Sequence, residues 1–415
     1  MRSSYLITLV SLPLILGIAG CGKGSLSAGS VSTGSNVASI VVDAGPSGEG
    51  YVNGAFVTVT VCVPGSTTDC NAIDHVLVDT GSEGLRLVSS AGGGELNLSL
   101  PQETDISGRP LSECATFVAN VTYGSVRLAN IQISGETASN VPIQVIGDTS
   151  PVPANCSDSS PVQDTVATLG ANGILGVGVF PEDCGGGCLE STSGNPAIYY
   201  SCSASGCAST VLTSLAQQVT NPVVLFPIDN NGVVVELPAI SASGQTTVDG
   251  SLVFGINTQS NNQLGDATVF SLDPSTGNFV TIFKSVAVSG CGFRGSSGLA
   301  ACGFVDSGSN GFFFSDPALT VCSHDTGFYC SNQTFSTSAV QNQGATGGPS
   351  EGVSFNVVSA EALFECSDCA AFNDLAGVGA STWDWGLPFF YGRNVYSSIE
   401  GQTVSGESVS PFVAY

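Results

Sequence analysis

The tetrapeptide Asp-[Thr/Ser]-Gly-Ser occurs twice, as Asp79-Thr80-Gly81-Ser82 and as Asp306-Ser307-Gly308-Ser309. Each copy ends an apolar run, Val76-Leu77-Val78 in the first and Phe304-Val305 in the second. A buried strand that stops at an Asp presents its carboxyl at the strand tip, and the glycine two residues on lets the backbone turn close beside it. The hydroxyls on either side of each glycine supply hydrogen bonds to the same spot. Two carboxyls within hydrogen-bond reach cannot both ionise, so they hold one proton between them and titrate as a unit. One is then a base and the other an acid. Asp79 and Asp306 are the candidate catalytic residues, supported by Thr80, Gly81, Ser82, Ser307, Gly308 and Ser309.

Such tips need strands, and the chain supplies them. Alternating apolar runs at Ala55 to Val63, Val76 to Val78, Thr116 to Val121 and Val126 to Ile133 are punctuated by Gly, Pro and Asn, which predicts strands and hairpins. Val211, Leu212, Leu215 and Val219 share one helical face and predict a helix from Ser209 to Val219, closed by Asn221-Pro222. Val223 to Phe226 and Val233 to Leu237 flank Asn230-Asn231-Gly232, a hairpin signal. Further strands are expected at Ser251 to Ile256, Ala267 to Leu272 and Val280 to Val288, before an apolar finish from Trp385 to Tyr396. One motif per half implies two lobes, 39–220 and 221–415, in a mostly β chain.

The 415 residues carry 42% apolar side chains, 53 glycines and only 10% charged residues, a profile of short strands and tight turns. Eight Lys and Arg stand against 33 Asp and Glu, a formal charge of -25. No surface of this chain neutralises several phosphates at once, so nucleic acid and anionic lipid are poor partners for it. The excess either favours cationic substrates or serves solubility through self-repulsion.

The N-terminus reads as a targeting segment. Arg2 precedes an apolar run from Tyr5 to Ile18, then Ile18-Ala19-Gly20-Cys21. That tetrapeptide resembles a bacterial lipobox, which implies a signal peptide over 1–20 and lipidation of Cys21. Each buried acyl methylene contributes about 0.8 kcal/mol, so a multiply acylated Cys anchors firmly. Residues 21–38 are rich in Gly, Ser and Ala, a flexible tether too short for a folded pro-segment. Setting Cys21 aside leaves an even number of the 15 cysteines, as expected of a chain oxidised outside the cytoplasm. Close spacing suggests the clasps 62–70, 184–188, 202–207, 291–302, 322–330 and 366–369, with Cys114 and Cys156 left over. Spacing alone does not settle the connectivity. Zinc is the rival reading of the short spacings, disfavoured by a supply of two histidines, His75 and His324. No metal and no cofactor are expected.

The paired motifs resemble those of the pepsin-like aspartic proteases, where each lobe carries an apolar strand followed by Asp-[Thr/Ser]-Gly-[Ser/Thr]. Other segments agree in order. Thr122-Tyr123-Gly124-Ser125 resembles the flap hairpin whose Tyr covers the cleft, and Asn172 to Gly178 resembles the segment bracing the first catalytic loop. Leu252 to Ile256 resembles the strand opening the second lobe, and Trp385 to Phe390 resembles, less closely, the second brace. An uncharacterised family of bacterial lipoproteins shares these features. The resemblance implies a two-lobed pepsin-like acid protease fold with a central substrate cleft. It also implies an aspartic endopeptidase in which Asp79 and Asp306 hold the nucleophilic water. Thr80 and Ser307 would brace the loops, Ser82 and Ser309 would bond the outer carboxylate oxygens, and Tyr123 would close over substrate. Arg86 stands where a Trp is usual, and with Glu83 it would push the pair in opposite directions.

The implied partner is a peptide or protein, acted on by a monomer held in the bacterial cell envelope by its lipid. The alternative is a non-catalytic binding lipoprotein that keeps the fold and uses its cleft for ligand. Gly348-Pro349-Ser350-Glu351-Gly352 matches a hydrolase elbow in form, but a strand pattern follows it and it reads as a loop. His75 and His324 are single residues in polar surroundings, and Phe312-Phe313-Phe314 reads as core.

Overall fold

The computed structural model describes residues 32–415 apart from 47–49, 92–95, 119, 158–159, 192–193, 292–297, 332–333 and 380. The segment 1–20 read as a signal peptide, and Cys21, lie outside the described residues. The first half carries β1 (Val37–Asp43), β2 (Gly54–Cys62), β3 (Cys70–Asp79), β4 (Glu83–Val88), β5 (Leu111–Thr116), β6 (Val121–Ile133), β7 (Glu136–Ile146) and β8 (Gly173–Val177). β1 begins two residues inside the stretch read as tether. In the order β2-β3-β8-β4-β7-β6 the sheet closes on itself, because β6 also pairs with β2. Val57, Val59, Val61, Val76 and Val78 are buried within it, as the alternation of β-branched residues demands. β9 (Tyr199–Ser203) and β10 (Gly206–Ser209) extend its edge beyond β5.

β11 (Gly232–Leu237) and β12 (Val248–Phe254) open the second half, and β12 pairs antiparallel with β1, Val37 opposite Val253. One sheet therefore runs through both halves. The second half continues through β13 (Val269–Ser271), β14 (Val280–Phe283), β15 (Val286–Ala287), β16 (Gly303–Val305), β17 (Phe312–Phe314), β18 (Phe335–Gln343), β19 (Ser350–Val357), β20 (Ala376–Val378), β21 (Trp383–Trp385), β22 (Arg393–Ser398) and β23 (Phe412–Ala414). β22, β23 and β13 complete the through-going sheet, while β16, β21, β17 and β20 form a separate four-stranded one. With 41% strand and 8% helix the fold is mostly β, as the sequence predicts.

The decisive feature is a repeat of topology. In the first half β8 lies between β3, parallel, and β4, antiparallel. In the second half β21 lies between β16, parallel, and β17, antiparallel. Each motif Asp follows or ends the parallel partner, so the two carboxyls occupy equivalent positions. The segments at 172–178 and 385–390 do brace the two loops. Asp79 is level with Gly176 in β8, and the Asp306 amide donates to the Trp385 carbonyl at 3.1 Å.

Three local expectations are corrected. The stretch from Thr116 to Val121 is the turn between β5 and β6, where the Phe117 amide donates to the Asn120 carbonyl and Val118 is exposed. The helix from Ser209 to Val219 reduces to a 3-10 turn at Leu215–Gln217. The Gln217 side chain there accepts from the Thr213 and Ser214 amides, a local alternative to helical bonding. Pro222–Leu225 is also a 3-10 turn, started by Pro222 and capped by Asn221, so β11 finds its partners in β12 and β22. Phe312 and Phe314 are core.

All seven suggested cysteine pairs form, Cys114–Cys156 included. Disulfides of this number fit a chain exported to an oxidising compartment.

Candidate active site

The two motif loops meet where the halves join. The Thr80 amide donates to Ser307 Oγ at 3.1 Å, and the Ser307 amide donates to Thr80 Oγ1 at 3.0 Å. Thr80 Oγ1 donates to the Val305 carbonyl at 3.1 Å, and Ser307 Oγ to the Val78 carbonyl at 2.7 Å. Thr80 and Ser307 are both buried, so these reciprocal bonds lock each loop to the strand of the other half.

The carboxyls are held in the same paired manner. The Gly81 amide donates to Asp79 Oδ1 at 2.8 Å and Ser82 Oγ to Asp79 Oδ2 at 2.5 Å. The Gly308 amide donates to Asp306 Oδ1 at 2.8 Å and Ser309 Oγ to Asp306 Oδ2 at 2.8 Å. A Cβ on Gly81 would lie 2.6 Å from the Asp306 carboxyl carbon, and one on Gly308 would lie 2.7 Å from that of Asp79. Only glycine lets each loop come that close to the carboxyl of the other. The sequence-predicted residues of both motifs are thus brought together, with Gly81 exposed and Asp306, Gly308 and Ser309 partly so.

The Asp306 carboxyl is held well above the ordinary carboxylate range. Desolvation is the first cause, the charge of Asp79 the second, the charge of Asp384 the third, and a side-chain hydrogen bond shared with Asp79 adds to them. Ser309 opposes the rise by bonding the charged form. Two carboxyls so placed can hold one proton between them, the state that pairs an acid with a base.

The family model described as "Protein of unknown function (DUF3443)" matches residues 32–415. The chain belongs to that family. Among solved structures, the aspartic proteinase from Irpex lacteus is similar to this DUF3443 chain at 13% identity and a TM-score of 0.49, covering 91% of this chain and 96% of that one. Among curated proteins none matches the sequence.

Two expectations for the site are corrected in this DUF3443 protein. Tyr123 does not reach the carboxyls. It is 1% exposed and packs with Cys114, Val121, Cys156 and Tyr200 in a satellite core, its ring 5.9 Å from that of Tyr200. The reason is its place in mid-strand, opposite Cys114 in β5, which points the ring into the disulfide-bonded layer. Arg86 also turns away from the pair. It is 3% exposed and bonds Glu113 at 2.6 Å, Asp183 at 3.1 Å and the Glu83 carbonyl at 2.7 Å. Asp183 in turn accepts from the Tyr199 hydroxyl at 2.7 Å.

Four further residues border the site. Glu83 Oε1 accepts from the Phe180 amide at 3.3 Å, and its carboxyl is pushed up to about 8, by desolvation first and by Asp79 next among the raising causes. Asp384, in β21, is buried with one carboxyl oxygen unpartnered. Tyr51 packs edge-on to Phe56 at 5.6 Å, and its hydroxyl titrates well above the ordinary range through desolvation, then the charges of Asp79 and Asp306. Asn53, two residues on, donates to the Asn310 carbonyl of the second loop at 2.8 Å. Asp384 had a signal in the sequence: one acid between Trp383 and Trp385 in an apolar stretch. Tyr51 and Asn53 had none.

His75 binds Asp43 and Asp74, and His324 binds Glu361 at the surface. Ser350 opens strand β19.

Proposed function

We propose that the chain is an aspartic endopeptidase that hydrolyses peptide bonds with a water activated by Asp79 and Asp306. The observation that carries this reading is the reciprocal arrangement of the two loops. Each carboxyl accepts from its own loop amide and serine hydroxyl, and each glycine lies against the opposite carboxyl. A water held between them would lose its proton to the charged member while the protonated member polarises the peptide carbonyl. The single proton of the pair makes one carboxyl the acid and the other the base. The proton returns to the leaving nitrogen in the second half of the reaction.

The proposal extends to place and partners. The protein acts as a monomer on peptide or protein substrates, outside the cytoplasm, held in the bacterial envelope by lipid on Cys21. Lobes at 39–220 and 221–415 form the two walls of its cleft. A second reading is favoured by the inward turn of Tyr123, since no flap tyrosine reaches over the carboxyls from that position. In that reading the cleft holds ligand without chemistry.

Cleavage of a broad peptide library from pH 3 to pH 7 by residues 22–415 separates the two. Asp79→Asn and Asp306→Asn are each expected to lower the rate by about 10³-fold or more. A folded wild type that cleaves nothing overturns the endopeptidase reading in favour of the binding one.

A further inference from the structure

β21 places a third carboxyl beside the pair. Its Asp384 is level with Phe304 of β16 and Phe313 of β17, two residues before the position that pairs with the tip of the catalytic strand. The following residue, Trp385, accepts from the Asp306 amide, and the Leu387 amide donates to the Ser309 carbonyl at 2.7 Å. The strand that carries Asp384 is therefore the one that holds the second motif loop in place. Asp384 is 6% exposed, and its Oδ1 is buried with no hydrogen-bond partner. An uncompensated buried acid is costly, and a structural role alone would be met by an apolar side chain.

We propose, resting on the endopeptidase reading, that Asp384 is a positioning residue that extends the catalytic pair to a three-carboxyl cluster and sets the upper pH at which the pair still works. Ser309 links them, because its hydroxyl donates to Asp306 Oδ2 and also engages Asp384. The titratable groups acting on Asp384 are few. Asp306 follows β16, Asp79 faces it from the first loop, and β17 contributes phenylalanines at the paired positions. No cation is among the groups acting on it. Its own carboxyl is pushed well up, by desolvation first, so it is neutral at low pH and gains its charge only as the pH rises.

The sign follows from these contacts. Once ionised, Asp384 makes a second charge on Asp306 harder to create, so Asp306 keeps its proton to higher pH. The opposing contribution of Ser309, which bonds charged Asp306, is the smaller of the two. Removing the Asp384 charge should move the upper limb of the pair's titration downward.

The test is a carbon-13 titration of Asp carboxyls from pH 3 to pH 9 in the wild type, Asp384→Asn and Ser309→Ala, with Asp306 assigned from Asp306→Asn. In Asp384→Asn the upper midpoint of the pair is expected to fall by about one pH unit. Ser309→Ala is expected to move it the other way. If Asp384→Asn does not fold, as judged by its thermal transition, Asp384→Ser removes the same charge with less bulk and carries the same expectation. Midpoints that stay in place in a folded Asp384 variant overturn the proposal. The upper limb of kcat/KM is read alongside. A chain that cleaves nothing yet shows the carbon-13 shift retains the cluster and loses the endopeptidase reading. A chain that cleaves with both readouts unmoved does the reverse.

Discussion

The two motif loops share one backbone plan and differ in what surrounds it. Beside Asp79 the neighbouring acid is Glu83, whose carboxyl is met by the Phe180 amide and whose carbonyl is held by buried Arg86. Beside Asp306 the neighbouring acid is Asp384, with one oxygen unpartnered and, among the described residues, no cation acting on it. The repeat in topology thus supplies equivalent positions, and the unequal surroundings bring the charge of Asp384 to bear on Asp306. Two carboxyls this close share one proton whether or not they are alike, and the surroundings decide how tightly it is held.

The symmetric part of this comparison is the easiest to break. Gly81→Ala and Gly308→Ala each put a methyl group inside contact distance of the opposite carboxyl, and each is expected to reduce cleavage by about 10²-fold or more. Steady-state rates checked against a thermal transition would show it, and a tolerant glycine on one side would mean that the loops are not equivalent.

The asymmetric part is tested through stability. Arg86→Met strands Glu113 and Asp183, and Asp183 is already pushed well up by burial and then by Glu113. The expected cost is about 3–5 kcal/mol in urea unfolding, since it leaves buried acids without their cation. By comparison, Thr80→Val and Ser307→Ala each remove one arm of the reciprocal bonds and should cost about 1–3 kcal/mol, nearly equal to one another.

Glu83→Gln sharpens the first-loop side. Folding raises its carboxyl from 4.5 to about 8, so the folded chain keeps a proton that the unfolded chain releases. Wild-type stability should therefore fall relative to the variant as the pH rises through that window. Urea midpoints at pH 5 and pH 8 check the sign, and a wild type that gains stability over the variant between pH 5 and pH 8 would contradict it. The smallest effect is expected from Tyr123→Phe. Its hydroxyl approaches Cys202 Sγ at 3.9 Å and engages Ser112, away from the two carboxyls, and cleavage should stay within about twofold in peptide assays.

Legibility in the sequence tracked the range of the interaction. Asp79, Asp306 and their Thr, Ser and Gly neighbours were readable because the strand, the turn and the hydroxyls lie within a few residues. Six of the cysteine pairs were suggested by close spacing, with Cys114 and Cys156 left over, and the brace at 172–178 by its resemblance. The helix from Ser209 to Val219 failed because apolar period alone does not register side-chain bonds such as those of Gln217, which stop a helix from forming. Tyr123 failed because a motif names a residue without naming the face of the strand that it occupies.

Chemistry within one turn of chain was therefore determined by the sequence itself: two tips, each with a carboxyl, a glycine and two hydroxyls. What the tertiary structure decided was everything that depends on long-range approach. It set the glycine-to-carboxyl contacts across the halves, turned Arg86 into a buried acidic pocket, and brought Asp384 beside Asp306. Proton affinity depends on nearby charge and on exclusion of water, and both are properties of packing that no local pattern of residues contains.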